Sequence, residues 1–389
     1  MKQHGENQMA RRAAKTGDYG FRRHPPFRRL KLASILLRAL TVLAAAGWAS
    51  TTTPSTAASA APANSEAVQK LIEAAKVEKT LEVTIAFDDR AWNELEALIN
   101  SKYGIKINLR GMAGAPPMSK VTSKLIEEHK AGRKPASTGL MISNGANHAA
   151  LAEAGVLMTI DWKKYLPDLK AGEITKDSTG VLGGVSPIVL VYNTKVIKDV
   201  PKSLDDLANP KYKGLIAATF WGGGFVQMAV PLGADRMMKL VEQMVDNGNL
   251  VGSIGSEPDR VASGEFGMLA FLGDNAEPER LKAKGAPVEW STLGGEMNAA
   301  FGSWLSVPKA SASPNIATLV ALFMLTPDGQ KFYFKYNQKD SHLREGTVMS
   351  KTVPKGVYLE TPDSVVANPQ VYKGAYEKIQ KLIQRGAGK

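Results

Sequence analysis

VLVYNTKVIKDVPKSLDDLANPKYKGLIA, residues 189–217, is the stretch whose reading decides the fold. Val189, Leu190 and Val191 form a short apolar run suited to a strand buried on both faces, with Tyr192 at its exit. Pro201 suits the start of a helix, and Asp205 and Asp206 early in it meet the positive end of the helix dipole. Asn209-Pro210 and Gly214 make a polar turn, and Leu215 opens a second apolar run. Strand, helix, strand is the resulting unit. Residues 81–109 repeat that order with connections too long for hairpins, which there points to a parallel α/β sheet.

The same grammar extends outward on both sides. Ser65 is placed to cap a helix in which Val68, Leu71, Ile72 and Ala75 share a face. Leu81, Val83, Ile85 and Phe87 alternate as in a strand. Trp92, Leu95, Leu98 and Ile99 return to helical spacing until Gly104, and Ile105, Ile107 and Leu109 make the next strand. Helices are expected over 118–129 and 148–154, with a short strand over 139–143. Beyond the opening stretch, a glycine-rich turn at 219–224 leads into a helix, and strands at 250–254, 266–271, 287–290 and 300–307 alternate with short helices. Two helices follow Pro314, separated by Pro327-Asp328-Gly329. An amphipathic helix over 371–382 closes the chain, with Gly386 and Gly388 expected to fray.

At 389 residues the chain is long enough for two cores, and 44% apolar with 22% charged residues is ordinary for a globular protein. The formal charge of +12 invites a nucleic-acid reading. Its distribution argues against one: residues 1–63 hold ten Lys or Arg against Glu6 and Asp18, a charge of +8, and leave only +4 for the rest. That segment is basic, then apolar from Leu32 to Ala49 around Arg38, then small and polar, which is the pattern of a cleavable secretory signal with cleavage near Ala58-Ser59-Ala60. Arg28-Arg29 before Leu30 leaves twin-arginine export open. With no cysteine in the chain, lipid attachment, disulfides and thiolate metal sites are all excluded. The expected location is the periplasm.

Motifs for catalysis are missing. His129, His148 and His342 lie far apart, with no pair at metal-ligand spacing. No G-x-S-x-G elbow, G-x-x-x-x-G-K phosphate loop or G-x-G-x-x-G fingerprint occurs. No enzyme, cofactor or metal site is expected.

Seven segments in register carry a specific resemblance: KYGIKINL (102–109), EEHKAGR (127–133), LAEAGVLM (151–158), LVYNTKVI (190–197), PKSLDDLANPKYKGLIA (201–217), DRVASGEF (259–266) and SPNIATLVALFMLTPDGQ (313–330). Together they resemble the extracellular solute-binding proteins of ABC importers, of the iron-, thiamine- and polyamine-type group. The resemblance implies a two-lobed α/β periplasmic-binding-protein fold (type II), with two crossing segments and a ligand cleft between the lobes. Lobe one would take residues 64–188 and 303–335, lobe two 189–302, and residues 336–389 would pack on both as a helical segment. Crossings are expected near 184–192 and 301–307. The implied partners are a small-molecule solute and an inner-membrane permease, with a monomeric receptor and no nucleic acid. A secreted α/β enzyme and a sensor working through a membrane receptor are the alternatives. Departures from the family's usual pattern occur at Ser137-Thr138-Gly139, where an acidic residue is usual, and at Ser313, where a histidine is. The ferric-binding branch uses adjacent tyrosines, and no such pair exists here.

Ligands of open α/β sheets bind beyond the carboxyl ends of strands, which selects the candidate contacts. Asp88, Asp89 and Arg90 follow the first strand: Arg90 suits a carboxylate or phosphate, either Asp an amine, and either Asp also suits a helix cap. Ser143, Asn144 and Asn147 offer neutral polar groups at a helix start, as contacts or as caps. In the turn after Phe220, Trp221 offers a stacking face, while Gly222 and Gly223 open a helix start to close approach by an anion. Asp274 and Asn275 end another strand, and Tyr192 lines the cleft or packs the hinge. The +4 of the remaining chain tilts the solute toward an anionic or phosphorylated compound. A polyamine held by Asp88, Asp89, Asp274 and Trp221, or chelated iron, is the alternative.

Overall fold

The computed structural model describes residues 65–388 except 86, 113–115 and 256–257, so the expected signal segment lies outside the described residues. Ser65 caps α1 (Glu66–Ala75) by accepting from the Val68 amide. β1 (Thr80–Val83) and β2 (Asn108–Gly111) pair in parallel around α2 (Asp89–Tyr103), which ends where Gly104 turns left-handed at φ 67°. α3 (Met118–Lys130) leads to β3 (Met141–Ser143), whose preceding Leu140 bridges Val83 in parallel. α4 (Gly145–Glu153) and the single turn α5 (Trp162–Tyr165) then lead to β4 (Val181–Pro187), buried at every position.

Pro187-Ile188 carries the chain into a second sheet made of β5 (Val189–Asn193), β6 (Ile216–Thr219), β7 (Leu250–Ile254), β8 (Met268–Leu272) and β9 (Val288–Ser291). Their order is β7-β6-β8-β5-β9, with β6 parallel to β7 and β8, and β5 antiparallel to β8 and β9. The helices between them are α6 (Gly223–Leu232), α7 (Ala234–Asp246), α8 (Asp259–Ala262) and α9 (Ala276–Ala283). β10 (Ala299–Ser306) returns to the first lobe, antiparallel to β3 and β4, in a sheet joined to the β1-β2 pair through the Val83–Leu140 bridge. α10 (Pro314–Met324) and α11 (Pro327–Asn337) pack there, and the chain ends with α12 (Met349–Thr352), β11 (Tyr358–Glu360), α13 (Pro362–Ala367) and α14 (Tyr376–Ala387).

Each sheet has its own core. Leu81, Leu95, Ile99, Ile316 and Phe323 belong to the first, and Ile216, Phe225, Val241, Met268 and Phe271 to the second. Burying each such side chain contributes roughly 1.5–3 kcal/mol, which is why two sheets each complete their own lobe. The expected two-lobed α/β fold with two crossing segments is what the chain adopts. The crossings lie side by side: the Ile188 amide donates to the Ala299 carbonyl at 2.9 Å, and Pro187 pairs with Ala300.

Three details differ from the sequence reading. The second crossing falls at the very start of β10, because residues from Phe301 onward already pair with β4. Pro201 starts no α-helix; the Asp206 carboxylate accepts from the Lys202 and Ser203 amides and pins a turn, leaving only the 3₁₀ segment Asp205–Ala208 before Asn209-Pro210. Gly386 does not fray. It sits buried in α14, where a Cβ would lie 2.7 Å from the Leu250 carbonyl oxygen, so close helix-to-strand contact requires glycine there.

Candidate ligand-binding site

β3 and β11 lie end to end along the same edge of β10, with Ser143 opposite Trp304 and Glu360 opposite Phe301. This arrangement sets Glu360 against the start of α4, just past the carboxyl end of β3. Asn144 caps α4, accepting from the Asn147 amide at 2.9 Å and from the Asn147 side chain at 2.8 Å. Asn147 in turn accepts from the Thr122 hydroxyl at 2.8 Å, so both asparagines are committed to holding α3 and α4. Ser143 is buried with its hydroxyl unpaired. The Ala146 amide donates to the Glu360 carboxylate at 3.2 Å, and the neighbouring Gly145 amide also favours its charge.

Glu360 reaches the second lobe as well. The Gln227 side-chain amide, one turn into α6, donates to its other oxygen, and the Tyr372 hydroxyl, hydrogen-bonded to Tyr358, lies close enough to favour its charge. The carboxyl is 0% exposed, and burial pushes its pKa up against the pull of these donors.

α6 starts at a second constriction. Gly222 is left-handed at φ 61°, where a Cβ would lie 3.1 Å from Ile383 of α14, and a Cβ on Gly224 would lie 2.0 Å from the Phe271 carbonyl oxygen. Gly223 is half-buried between Trp221 and Phe301, and the same Phe301 ring lies over Gly273. Trp221 stacks edge-on with Phe220 at 4.7 Å between ring centroids, and Phe220 is 60% exposed. No side chain caps α6. Nearby strand ends carry buried oxygens without partners, Thr219 Oγ1 after β6 and Asn275 Oδ1 after β8. Asp274 accepts from the Ala276 amide at 2.7 Å and faces Lys339, just beyond α11, at 3.7 Å. Burial opposes the Lys339 charge, yet Asp274 and Tyr333 leave its pKa above the ordinary value.

The structure thus gathers Ser143, Asn144, Asn147, Trp221, Gly222, Gly223, Asp274 and Asn275 at the strand ends that flank the crossings. Others stand elsewhere. Asp88 caps α2, accepting from the Ala91 amide at 2.8 Å. Asp89 and Arg90 are exposed in its first turn, Arg90 beside Glu94, and among the described residues no hydrogen bond or ion pair links either to the gathered group. Tyr192 pairs with Met268 and Glu289, at the end of β8 opposite Asp274, and burial followed by the Glu289 charge raises its pKa. Sequence reasoning missed Glu360, Gln227 and Phe301. Only the long-range pairing of β11 with β10 brings Glu360 here, and no local pattern announces it. Among the described residues no three His, Asp or Glu side chains gather as a metal site.

The model of the bacterial extracellular solute-binding protein family matches residues 94–339. Iron-bound HitA from Pseudomonas aeruginosa is similar in structure, with a TM-score of 0.59 at 20% identity over 79% of this chain and 99% of that one. Trichodesmium IdiA (FutA) in complex with iron and citrate has a TM-score of 0.59 at 17% identity, over 80% and 99%. AfuA from Actinobacillus pleuropneumoniae with fructose-6-phosphate bound has 0.57 at 17%, over 79% and 99%. No curated protein matches. At these identities the likeness establishes the fold, that of the type II periplasmic binding proteins.

Proposed function

The chain belongs to the bacterial extracellular solute-binding proteins, receptors that capture a small ligand for ABC transport, and from that premise we propose where and what it binds. The solute lies between the lobes against the start of α6, contacted by Trp221, Gly223 and Asn275. One observation carries this reading: α6 opens with no side-chain cap, on a half-buried glycine beside the half-buried Trp221 and the exposed Phe220. Uncapped amides and the helix dipole favour an anionic group, and the indole offers a face for an apolar or planar part. The unpaired Thr219 and Asn275 oxygens supply polar orientation. A small phosphorylated or carboxylated compound fits best. Citrate and fructose-6-phosphate, named with two of the similar proteins, both carry such groups. The receptor is a periplasmic monomer that hands its solute to an inner-membrane permease. Its lobes divide as residues 65–188 with 301–335 and 189–300, and residues 336–388 pack on both.

Calorimetric titration against sugar phosphates, tricarboxylates and polyamines tests the reading. The expected result is binding among the first two groups, weakened roughly tenfold by Trp221→Ala through loss of about 1.4 kcal/mol of ring contact, with the ligand-free melting temperature unchanged. Binding of polyamines alone, or wild-type affinity in Trp221→Ala, overturns it.

A further inference from the structure

We infer that Glu360 is a resident stand-in for a ligand's acid group: its carboxyl occupies in advance the donors at the start of α4 and ties them to Gln227 of α6, holding the lobes together without solute. A helix start at a strand's carboxyl end is the place where an open α/β lobe offers its N–H groups to a ligand. In the first lobe the Ala146 amide already bonds to the chain's own side chain, with the Gly145 amide beside it. The fit is close: a Cβ on Gly145 would lie 3.0 Å from Glu360 Cγ and from the Thr361 carbonyl carbon. Trp304 fastens the same residue from β10, its indole N–H donating to the Glu360 carbonyl at 3.3 Å.

The carboxylate spans an interface between elements of different lobes. α4 belongs to the first lobe, and Gln227 lies on α6 of the second, so parting the lobes breaks the Gln227 bond and exposes a buried carboxyl group. β11, which bears Glu360, belongs to a segment joined to both sides: α13 packs on α4, and α14 packs on α7 and β7. An unpaired buried carboxylate is costly, and here each oxygen has donors, with Tyr372 and its partner Tyr358 completing the enclosure. For selection the consequence is direct. A solute's anionic group finds the first lobe's donors taken and is left to the α6 start. This rests on the proposed inter-lobe site only for that last clause.

Two measurements on the ligand-free protein test it. Small-angle scattering of Glu360→Ala is expected to show a larger radius of gyration than wild type, with helical content and cooperative melting retained. Titration with inorganic phosphate is expected to show one more equivalent bound by Glu360→Ala than by wild type, at the freed Gly145 and Ala146 amides. If the α6 reading fails, wild type binds no phosphate, and the difference of one equivalent still stands. Equal stoichiometry or unchanged scattering overturns the inference. Where Glu360→Ala does not melt cooperatively, Gln227→Glu sets two carboxylates face to face and is expected to expand the molecule; unchanged scattering there overturns the inference as well.

Discussion

His148 shows how little a residue's identity says before its surroundings are known. It stands in α4, fully buried, with Nε2 sharing a 2.9 Å hydrogen bond with Thr179 and Nδ1 unpaired. Burial pushes its pKa down to about 4, against a smaller upward pull from Asp177. The unfolded chain therefore binds a proton that the native state refuses between an unfolded value of about 6.5 and the native one. Stability from this residue is present above about pH 6.5 and is lost as pH falls toward 4, by about 3 kcal/mol at the full shift. Glu360, raised by burial, acts in the opposite sense, so the His148 contribution is read as a difference. Urea unfolding across this range should show a steeper loss for wild type than for His148→Gln; parallel slopes would discard the assignment. At this scale the sequence reading saw capping roles for Asp88 and Asn144 because a cap is a local event, a side chain three residues from its donor. It missed Glu360, whose partners lie 133 and 214 residues away.

Elements with a long apolar period were legible, and short ones were not. α1, α2 and α7 are amphipathic, and their buried positions follow the spacing of their apolar residues. β11 has three residues and no alternation, so only β10 makes it a strand. α14 lies between these cases: its stripe was readable, its surroundings were not. Ile379 and Ile383 are wholly buried where it meets the second lobe, while Arg385 pairs with Asp246 at 2.9 Å in solvent. Ile383→Ala should cost about 2–5 kcal/mol, and Arg385→Ala less than about 1 kcal/mol, since exposed ion pairs are screened. Denaturant midpoints check both, and equal costs would show that α14 is held by charge and not by packing.

The whole molecule consists of two lobes with separate cores, bound by neighbouring crossings and by a last segment that touches both. Scanning calorimetry of the full chain should give one transition, and a chain ended after Val357, lacking β11 and α14, should give two. Two transitions in the full chain would mean the last segment couples nothing. Apolar periodicity and turn residues were enough to determine an α/β class, since strands and helices are local consequences of side-chain spacing and backbone preference, while the two lobes were implied only by the resemblance of seven segments to a known family. Tertiary structure alone decided the Glu360 contact. A carboxylate from residue 360, an amide from residue 227 and the start of α4 meet only after both sheets close, and nothing in the spacing along the chain encodes a meeting set by strand pairing and packing across a hundred residues or more.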